Sequence, residues 1–322
     1  MRRRRSNARE RGSGFFALRR CILVIVTAGF GLVPTARAQA QQPPEVEFTE
    51  LGSRSLLVRV LNPDGSQIGA NMVVFRVPNG TVLVDTDFPN PQLARFIRQS
   101  VEARVGPLSA VVVTHWHPDH SGGIGAYVDL PVYAHPQTIR RLSEETIGID
   151  LGRLGGRFTS PPRLAGERPD HPADEGDRLA GGDLLLHHPP AAHTDGDLYV
   201  EWPEENVVAM GDLLWPGRFP SVDVHNGGGA EGVRDAIRAA LQFGDEHTIF
   251  VPGHGEPASR REVEAFASML EETIEVVRAT EAGGATLAAI QAADPLADWA
   301  DWAHALVPSD QWIKLIHAGY SN

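Results

Sequence analysis

His115-Trp116-His117-Pro118-Asp119-His120 is the stretch on which the reading of this chain turns. Directly before it runs Ala110-Val111-Val112-Val113, an apolar run with the branching of a buried strand. In an extended chain, residues two apart point the same way, so His115 and His117 can grip one ion from the strand's end. Pro118 stops the extended run, and Asp119 and His120 follow on the turn, where they can face a second ion. Ser121-Gly122-Gly123 then lets the backbone fold tightly before a helix.

A two-metal site needs donors beyond these, and the chain supplies candidates on loops after later strands. His193 follows Leu184-Leu185-Leu186 and Pro189-Pro190, Asp212 follows Val207-Val208-Ala209-Met210-Gly211, and His254 follows Ile249-Phe250-Val251-Pro252-Gly253. Each comes after a short apolar run and close to glycine, which suits a ligand displayed at a strand's end.

This donor set resembles that of the metallo-β-lactamase superfamily of metallohydrolases, over a stretch from about Glu45 to about Phe266. The resemblance implies that His115, His117 and His193 hold one metal, that Asp119, His120 and His254 hold the other, and that Asp212 bridges them. Asp85, which closes Val82-Leu83-Val84, matches the family's strand-end Asp and is implied to steady a ligand from behind. At the position of Asp212 true metallo-β-lactamases carry Cys or Ser, whereas Asp is typical of glyoxalase II, lactonases and related esterases. The one cysteine, Cys21, lies far outside this stretch, so a Cys-ligated site is excluded. Nitrogen and oxygen donors suit zinc, two ions per chain, and also accept iron or manganese. The implied activity is a dinuclear zinc hydrolase acting on a small-molecule ester, lactone, thioester or amide through a metal-bridging hydroxide, with Asp119 or Asp212 as proton carrier. Three other readings stand beside it: a β-lactamase proper, a mononuclear iron oxidoreductase of the persulfide-dioxygenase type, and a non-catalytic metal-binding periplasmic protein.

Beyond the donors, Trp215, Phe219 and His225 follow Asp212 in a glycine-bearing loop and are candidate pocket residues. His187 and His188 end a strand, and one of them is expected as a buried neighbour of the site. The remaining histidines read as structural or exposed.

Residues 1–38 read as a signal peptide: Arg2 to Arg5 and Arg19-Arg20 precede the apolar Cys21 to Val33, and Ala36-Arg37-Ala38 is a cleavage signal. Arg19-Arg20-Cys21-Ile22-Leu23 also resembles a twin-arginine signal. A periplasmic or secreted protein with no stable membrane anchor after cleavage is therefore expected. Removing the nine arginines and one glutamate of that leader takes the net charge from −12 to −20. So acidic a chain argues against a nucleic-acid substrate, which would want a basic face. The composition leaves the oligomeric state open.

The rest divides into a tether over residues 39–44, a catalytic domain over 45–280 and a helical extension over 281–322 carrying Trp299, Trp302 and Trp312. Strands are expected at Glu45–Leu51, Ser55–Leu61, Asn71–Val77, Thr81–Asp85 and Val132–Ala134, and a helix begins at Asn90-Pro91, a cap followed by proline. A short helix is expected near Gly123–Val128 and a long one from about Arg261 to Ala279. The stretch from Gly148 to Gly176, rich in Gly, Pro and Arg, reads as a long loop. Strands, then alternation, then strands again make an α/β (α+β) fold of two sheets packed face to face with helices outside. The superfamily's four-layer αββα sandwich has this layout.

Overall fold

The computed structural model describes residues 44–144, 147–150, 157–160 and 167–319. The first half of the chain builds one sheet from β1 (Glu45–Glu50), β2 (Ser55–Leu61), β3 (Gln67–Val77), β4 (Gly80–Val84), β5 (Ala110–Val112) and β6 (Val132–Ala134). After a small hairpin of β7 (Ile147–Asp150) and β8 (Arg157–Ser160), β9 (His171–Pro172) joins its edge. The second half builds another sheet from β10 (Arg178–Leu179), β11 (Leu184–His187), β12 (Tyr199–Trp202), β13 (Val207–Gly211), β14 (Ile249–Pro252) and β15 (Ala258–Ser259), in that order across the sheet. β4, β5 and β6 run parallel, as do β13 and β14, so their carboxyl ends open on one side.

Alternation along the strands sorts side chains into three cores. Leu57, Val73, Phe75, Val84 and Val112 of the first sheet meet Leu186, Val200, Trp202, Val207 and Val251 of the second. On the outer face of the first sheet, Leu56, Val58, Met72, Val74 and Val111 pack on Ile97 and Val101 of helix α1 (Pro91–Val105). Beyond the second sheet, Val208, Met210 and Phe250 pack on Val233 and Ile237 of α4 (Ala230–Ala240) and on Val263, Phe266 and Leu270 of α5 (Arg260–Ala282). Helix, sheet, sheet, helix is the four-layer sandwich, and each fully buried aliphatic contributes about 1.5–3 kcal/mol to holding the layers together. The C-terminal α6 (Leu287–Ala293) and α7 (Ser309–Gly319) complete the third core through Ile290, Trp312, Ile313 and Ile316.

Local sequence sets the ends of these elements. Asn90 caps α1 by accepting from the Gln92 and Leu93 amides, with Pro91 in the first turn, and Ser259 and Glu262 form a reciprocal cap on α5. The long loop expected from Gly148 to Gly176 contains strand β8 and the edge strand β9, while residues 151–156 and 161–166 lie outside the described residues. The helix expected near Gly123–Val128 is a tighter 3₁₀ turn over Gly122–Ala126. It is pressed against the strand-end segment: a side chain at Gly122 would meet the Phe88 carbonyl carbon at 2.3 Å, and one at Gly123 the Thr86 carbonyl oxygen at 2.1 Å.

Candidate metal centre

The seven candidate donors converge at the open end of both sheets. His115 leaves β5, and Pro118 opens the one-turn helix α2 (Pro118–Ser121) that turns Asp119 and His120 inward. His193 lies between β11 and β12, Asp212 just after β13, and His254 just after β14. One donor atom each from His115, His117, His193 and Asp212 form one group, and Asp119, His120 and His254 form another, all within 4.8 Å inside each group. The three imidazoles of the first group stand with ring centres 4.7–4.8 Å apart and planes 72–88° to one another. Rings fanned in this way aim their nitrogens at a point.

The imidazoles of His115, His117, His120 and His193 are anchored through the nitrogen that faces away from the other donors. His193 Nδ1 donates to the Ser221 carbonyl at 2.9 Å, and His117 Nε2 to Asp223 Oδ2 at 3.0 Å. His120 Nδ1 donates to Asp85 Oδ2 at 2.8 Å. Thr114 Oγ1 donates to the same Asp85 oxygen at 2.9 Å, which leaves its lone pair for His115 Nδ1 at 3.1 Å. Asp85 thus backs one ring of each group, from a left-handed backbone (φ 65°) that asparagine and aspartate tolerate better than other side chains. Anchoring of this kind fixes the tautomer and aims a lone pair inward.

The inward atoms fit a cation. His193 Nε2 and His117 Nδ1, both lone-pair nitrogens, face each other at 3.1 Å. Asp212 Oδ2 lies 3.6 Å from His193 Nε2, while its Oδ1 lies 3.2 Å from His120 Nε2 and 3.5 Å from His254 Nε2. His254 Nε2 is also 3.2 Å from Asp119 Oδ2. Donors on a tetrahedral ion with bonds of about 2.0–2.1 Å stand roughly 3.3 Å apart, so these spacings match. His115 Nε2, His120 Nε2 and Asp212 Oδ1 are buried without a hydrogen-bond partner. Leaving each of them unsatisfied would cost about 1–3 kcal/mol, and a bound ion removes that cost.

The electrostatics point the same way. Burial would push Asp119 up, yet the imidazoles of His120 and His254 hold its carboxyl down to about 2. Asp212 is likewise held well below the ordinary carboxylate range against its burial, by His254, His120 and His193. For His120 burial is outweighed by the carboxylates of Asp212, Asp85 and Asp119, and its imidazole is raised. Ionised carboxylates set among buried imidazoles make a pocket that favours positive charge.

Gly253 has to be glycine, because a Cβ there would stand 2.0 Å from Asp212 Oδ1 and 2.8 Å from His120 Cε1. Trp215 sits beside the centre, with its ring 5.5 Å from that of His254 and its Nε1 donating to the Asp212 carbonyl at 2.8 Å. With Pro216, Arg218, Glu256 and Pro257, Trp215 and His254 line a cleft of about 230 Å³. Phe219 does not join that wall: it is fully buried and stacks on Trp312 at 5.9 Å, because the loop turns it into the third core. His225 is exposed. Its neighbour Asp223 reaches the site through His117, as the Ser221 carbonyl does through His193, and nothing in the residue pattern distinguishes Asp223 from an ordinary loop carboxylate.

His187 is not a neighbour of the centre; it pairs with Glu201 at 3.0 Å and stacks on Tyr199. A third group, His135, Asp174 and His188, also brings donor atoms within 4.8 Å. Its two rings are stacked 3.6 Å apart and only 12° from parallel. An ion bonds in the plane of an imidazole, and near-parallel planes share no bonding point, so this group is a histidine stack.

The sequence profile of the metallo-beta-lactamase superfamily matches residues 66–254, which contain all seven donors. The chain belongs to the metallo-beta-lactamase superfamily. Among solved metallo-beta-lactamases, it resembles DIM-1 with a TM-score of 0.56 at 17% identity, over 72% of this chain and 100% of that one. FIM-1 from Pseudomonas aeruginosa, in its mono-zinc form, gives 0.54 at 23% identity, over 73% and 99%. At such identities the likeness concerns the fold. Among curated superfamily relatives, the lactamase-like protein aptB of Emericella nidulans is 26% identical over 179 residues, 51% of this chain and 55% of that protein. The atrochrysone carboxyl ACP thioesterase AacuM of Aspergillus aculeatus is 26% identical over 54% of this chain and 49% of its own length. The chain therefore spans about half the length of the curated relatives it matches. The periplasmic or secreted location expected from residues 1–38 does not stand. The curated relatives are fungal thioesterases and lactamase-like proteins, from cells without a bacterial periplasm. The leader on which that expectation rested lies outside the described residues.

Proposed function

We propose that this chain is a dinuclear metal-dependent hydrolase of a carbonyl-type bond in a small molecule, with zinc in both positions. The observation that carries the proposal is Asp212, whose two carboxylate oxygens face different groups of donors, Oδ2 toward His193 and Oδ1 toward His120 and His254. One ion would be held by His115, His117 and His193, the other by Asp119, His120 and His254, with Asp212 shared between them. Two cations held there supply a water of lowered pKa and a Lewis acid for a carbonyl oxygen.

The chain's own groups supply the rest. Asp119, with its side chain 21% exposed, is the carboxylate of the centre open enough to pass a proton to a leaving group. The cleft beside His254, where Trp215, Pro216 and Pro257 stand among Arg218, Glu256 and Glu262, offers a mixed apolar and charged seat for the substrate's body. The bonds that fit are ester, lactone, thioester and amide. Relatives named as thioesterases support the thioester among them, at the level of a shared family.

Elemental analysis of the purified protein should find two ions per chain, predominantly zinc. The metal-loaded sample should turn over p-nitrophenyl esters, acyl lactones or thioesters faster than a cephalosporin or a phosphodiester. Asp212→Ala should lose more turnover than the roughly 10- to 100-fold that follows removal of a group merely supporting a ligand, with its circular dichroism unchanged. No turnover of any carbonyl substrate, or near-normal turnover in Asp212→Ala, would sink the proposal. A dominant cephalosporinase rate would instead make the chain a β-lactamase.

A further inference from the structure

Asn71 lies on β3, in the first sheet, yet its side-chain Nδ2 and its backbone amide both serve the segment that carries His254 in the second. Its Nδ2 donates to the carbonyls of Pro252 and Gly255, both at 2.8 Å, and its backbone amide donates to the Gly253 carbonyl at 2.7 Å. Its Oδ1 accepts from Arg59 Nε and Gln67 Nε2, both at 3.1 Å, which locks the amide's orientation. Arg59 adds a second grip, with Nη2 donating to the Gly255 carbonyl at 3.0 Å and Nη1 paired with Glu256 at 2.8 Å. Asn71 is 3% exposed.

The held segment is short and rich in glycine, Pro252-Gly253-His254-Gly255, with Gly255 in a left-handed conformation (φ 98°). Such a segment has little stiffness of its own. Its inner side is confined as well, since the Gly253 amide donates to the Gly211 carbonyl at 2.7 Å, immediately before Asp212. His254 is the most solvent-open imidazole of the centre, its side chain 26% exposed, so side-chain packing alone does not fix it.

We infer that Asn71, backed by Arg59, is a positioning residue for His254, and that this clamp sets the affinity of the Asp119–His120–His254 position without setting that of the other. The inference rests on the dinuclear reading proposed above. The three histidines of the first group sit on segments that Asn71 does not touch: His115 and His117 behind β5, His193 on the Ser221 carbonyl, His117 on Asp223. Metal affinity should therefore become asymmetric when the clamp is cut.

Two measurements test this on the full chain. In competitive chelator titrations with zinc, Asn71→Ala should bind one ion as the wild type does and the other about 10- to 100-fold more weakly, the usual effect of losing a group that orients a ligand. Arg59→Met, which keeps the apolar stem and removes the donors, should shift the same ion in the same direction by less. In the metal-free protein, amide hydrogen exchange across residues 252–256 should quicken at least about tenfold in Asn71→Ala, with the β5–α2 segment unchanged. General loosening would instead weaken both ions together, and that result overturns the clamp. So does unchanged exchange at 252–256. A wild type that takes fewer than two ions refutes the dinuclear reading, and the exchange measurement still decides the clamp by itself.

Discussion

Asp223→Ala should weaken the ion held by His115, His117 and His193 while leaving its neighbour nearly untouched. The His117–Asp223 hydrogen bond is 3.0 Å long between side chains that are 9% and 6% exposed. Burial alone would raise the Asp223 carboxyl, but the hydrogen bonds from His117 and Asn226 outweigh it and hold the group ionised. Its removal leaves His117 Nε2–H without an acceptor and frees the ring to turn. It also removes the acceptor of Asn226 Nδ2, which donates to the same oxygen at 2.7 Å. An orphaned buried donor costs about 1–3 kcal/mol. At about 1.4 kcal/mol per tenfold, that corresponds to roughly a 5- to 150-fold loss of affinity. Loss of the group orienting a metal-ligating histidine gives about 10- to 100-fold, so the two estimates agree. Asp223→Asn, whose amide oxygen can occupy the same place, should fall between wild type and Asp223→Ala. Zinc titration against a competing chelator resolves the two ions and reads the effect directly. An Asp223→Ala protein that binds both ions within about twofold of wild type would refute the orienting role of Asp223. Equal weakening of the two would mean that the loop supports the whole site rather than His117.

Two further outcomes follow from the geometry. Gly253→Ala should abolish metal binding and activity together, because the added Cβ would lie 2.0 Å from Asp212 Oδ1; circular dichroism and metal content measured on one sample check it, and full metal content would refute it. Asp197 is buried beside the His193 loop, and although Thr194 donates to it from backbone and hydroxyl, burial pushes its carboxyl up to about 7. A carboxyl raised on folding stabilises the native state most fully below its unfolded pKa and loses that contribution as pH rises toward the folded one. In metal-free protein, the melting temperature of wild type relative to Asp197→Asn should therefore fall between about pH 4 and pH 7 and level off above. A difference that grows with pH over that window would refute the assignment.

The candidate donors that the fold brings together were legible because each announces itself locally. His115, His117, Asp119 and His120 are neighbours in sequence, and Asp85, His193, Asp212 and His254 each follow an apolar strand. The supporting groups were not legible, since Asp223 lies 106 residues from His117, and Asn71 lies 181 residues from Pro252. A lone Asp or Asn in a polar stretch carries no period and no spacing that predicts such a partner. Phe219 failed for a related reason: proximity to Asp212 in sequence suggested a pocket wall, but a single turn of chain decides whether an aromatic faces a cleft or a core. Residues Gly148–Gly176 concealed strands because Gly and Pro mask the alternation on which strand reading depends.

The division of the sandwich between the two halves of the chain orders the birth of the site during synthesis. His115 to His120 emerge with the first sheet, and the donors of the first group are complete once Asp212 has left the ribosome. His254 arrives only with β14, after helix α4 has been made. A nascent chain can thus assemble one three-histidine position while the other still lacks a donor. The strand that closes the second position, β14, is held to the first sheet through Asn71. Completion of the metal centre is then a late event, and a chain interrupted between Asp212 and His254 would lack the second position and the Asn71 link.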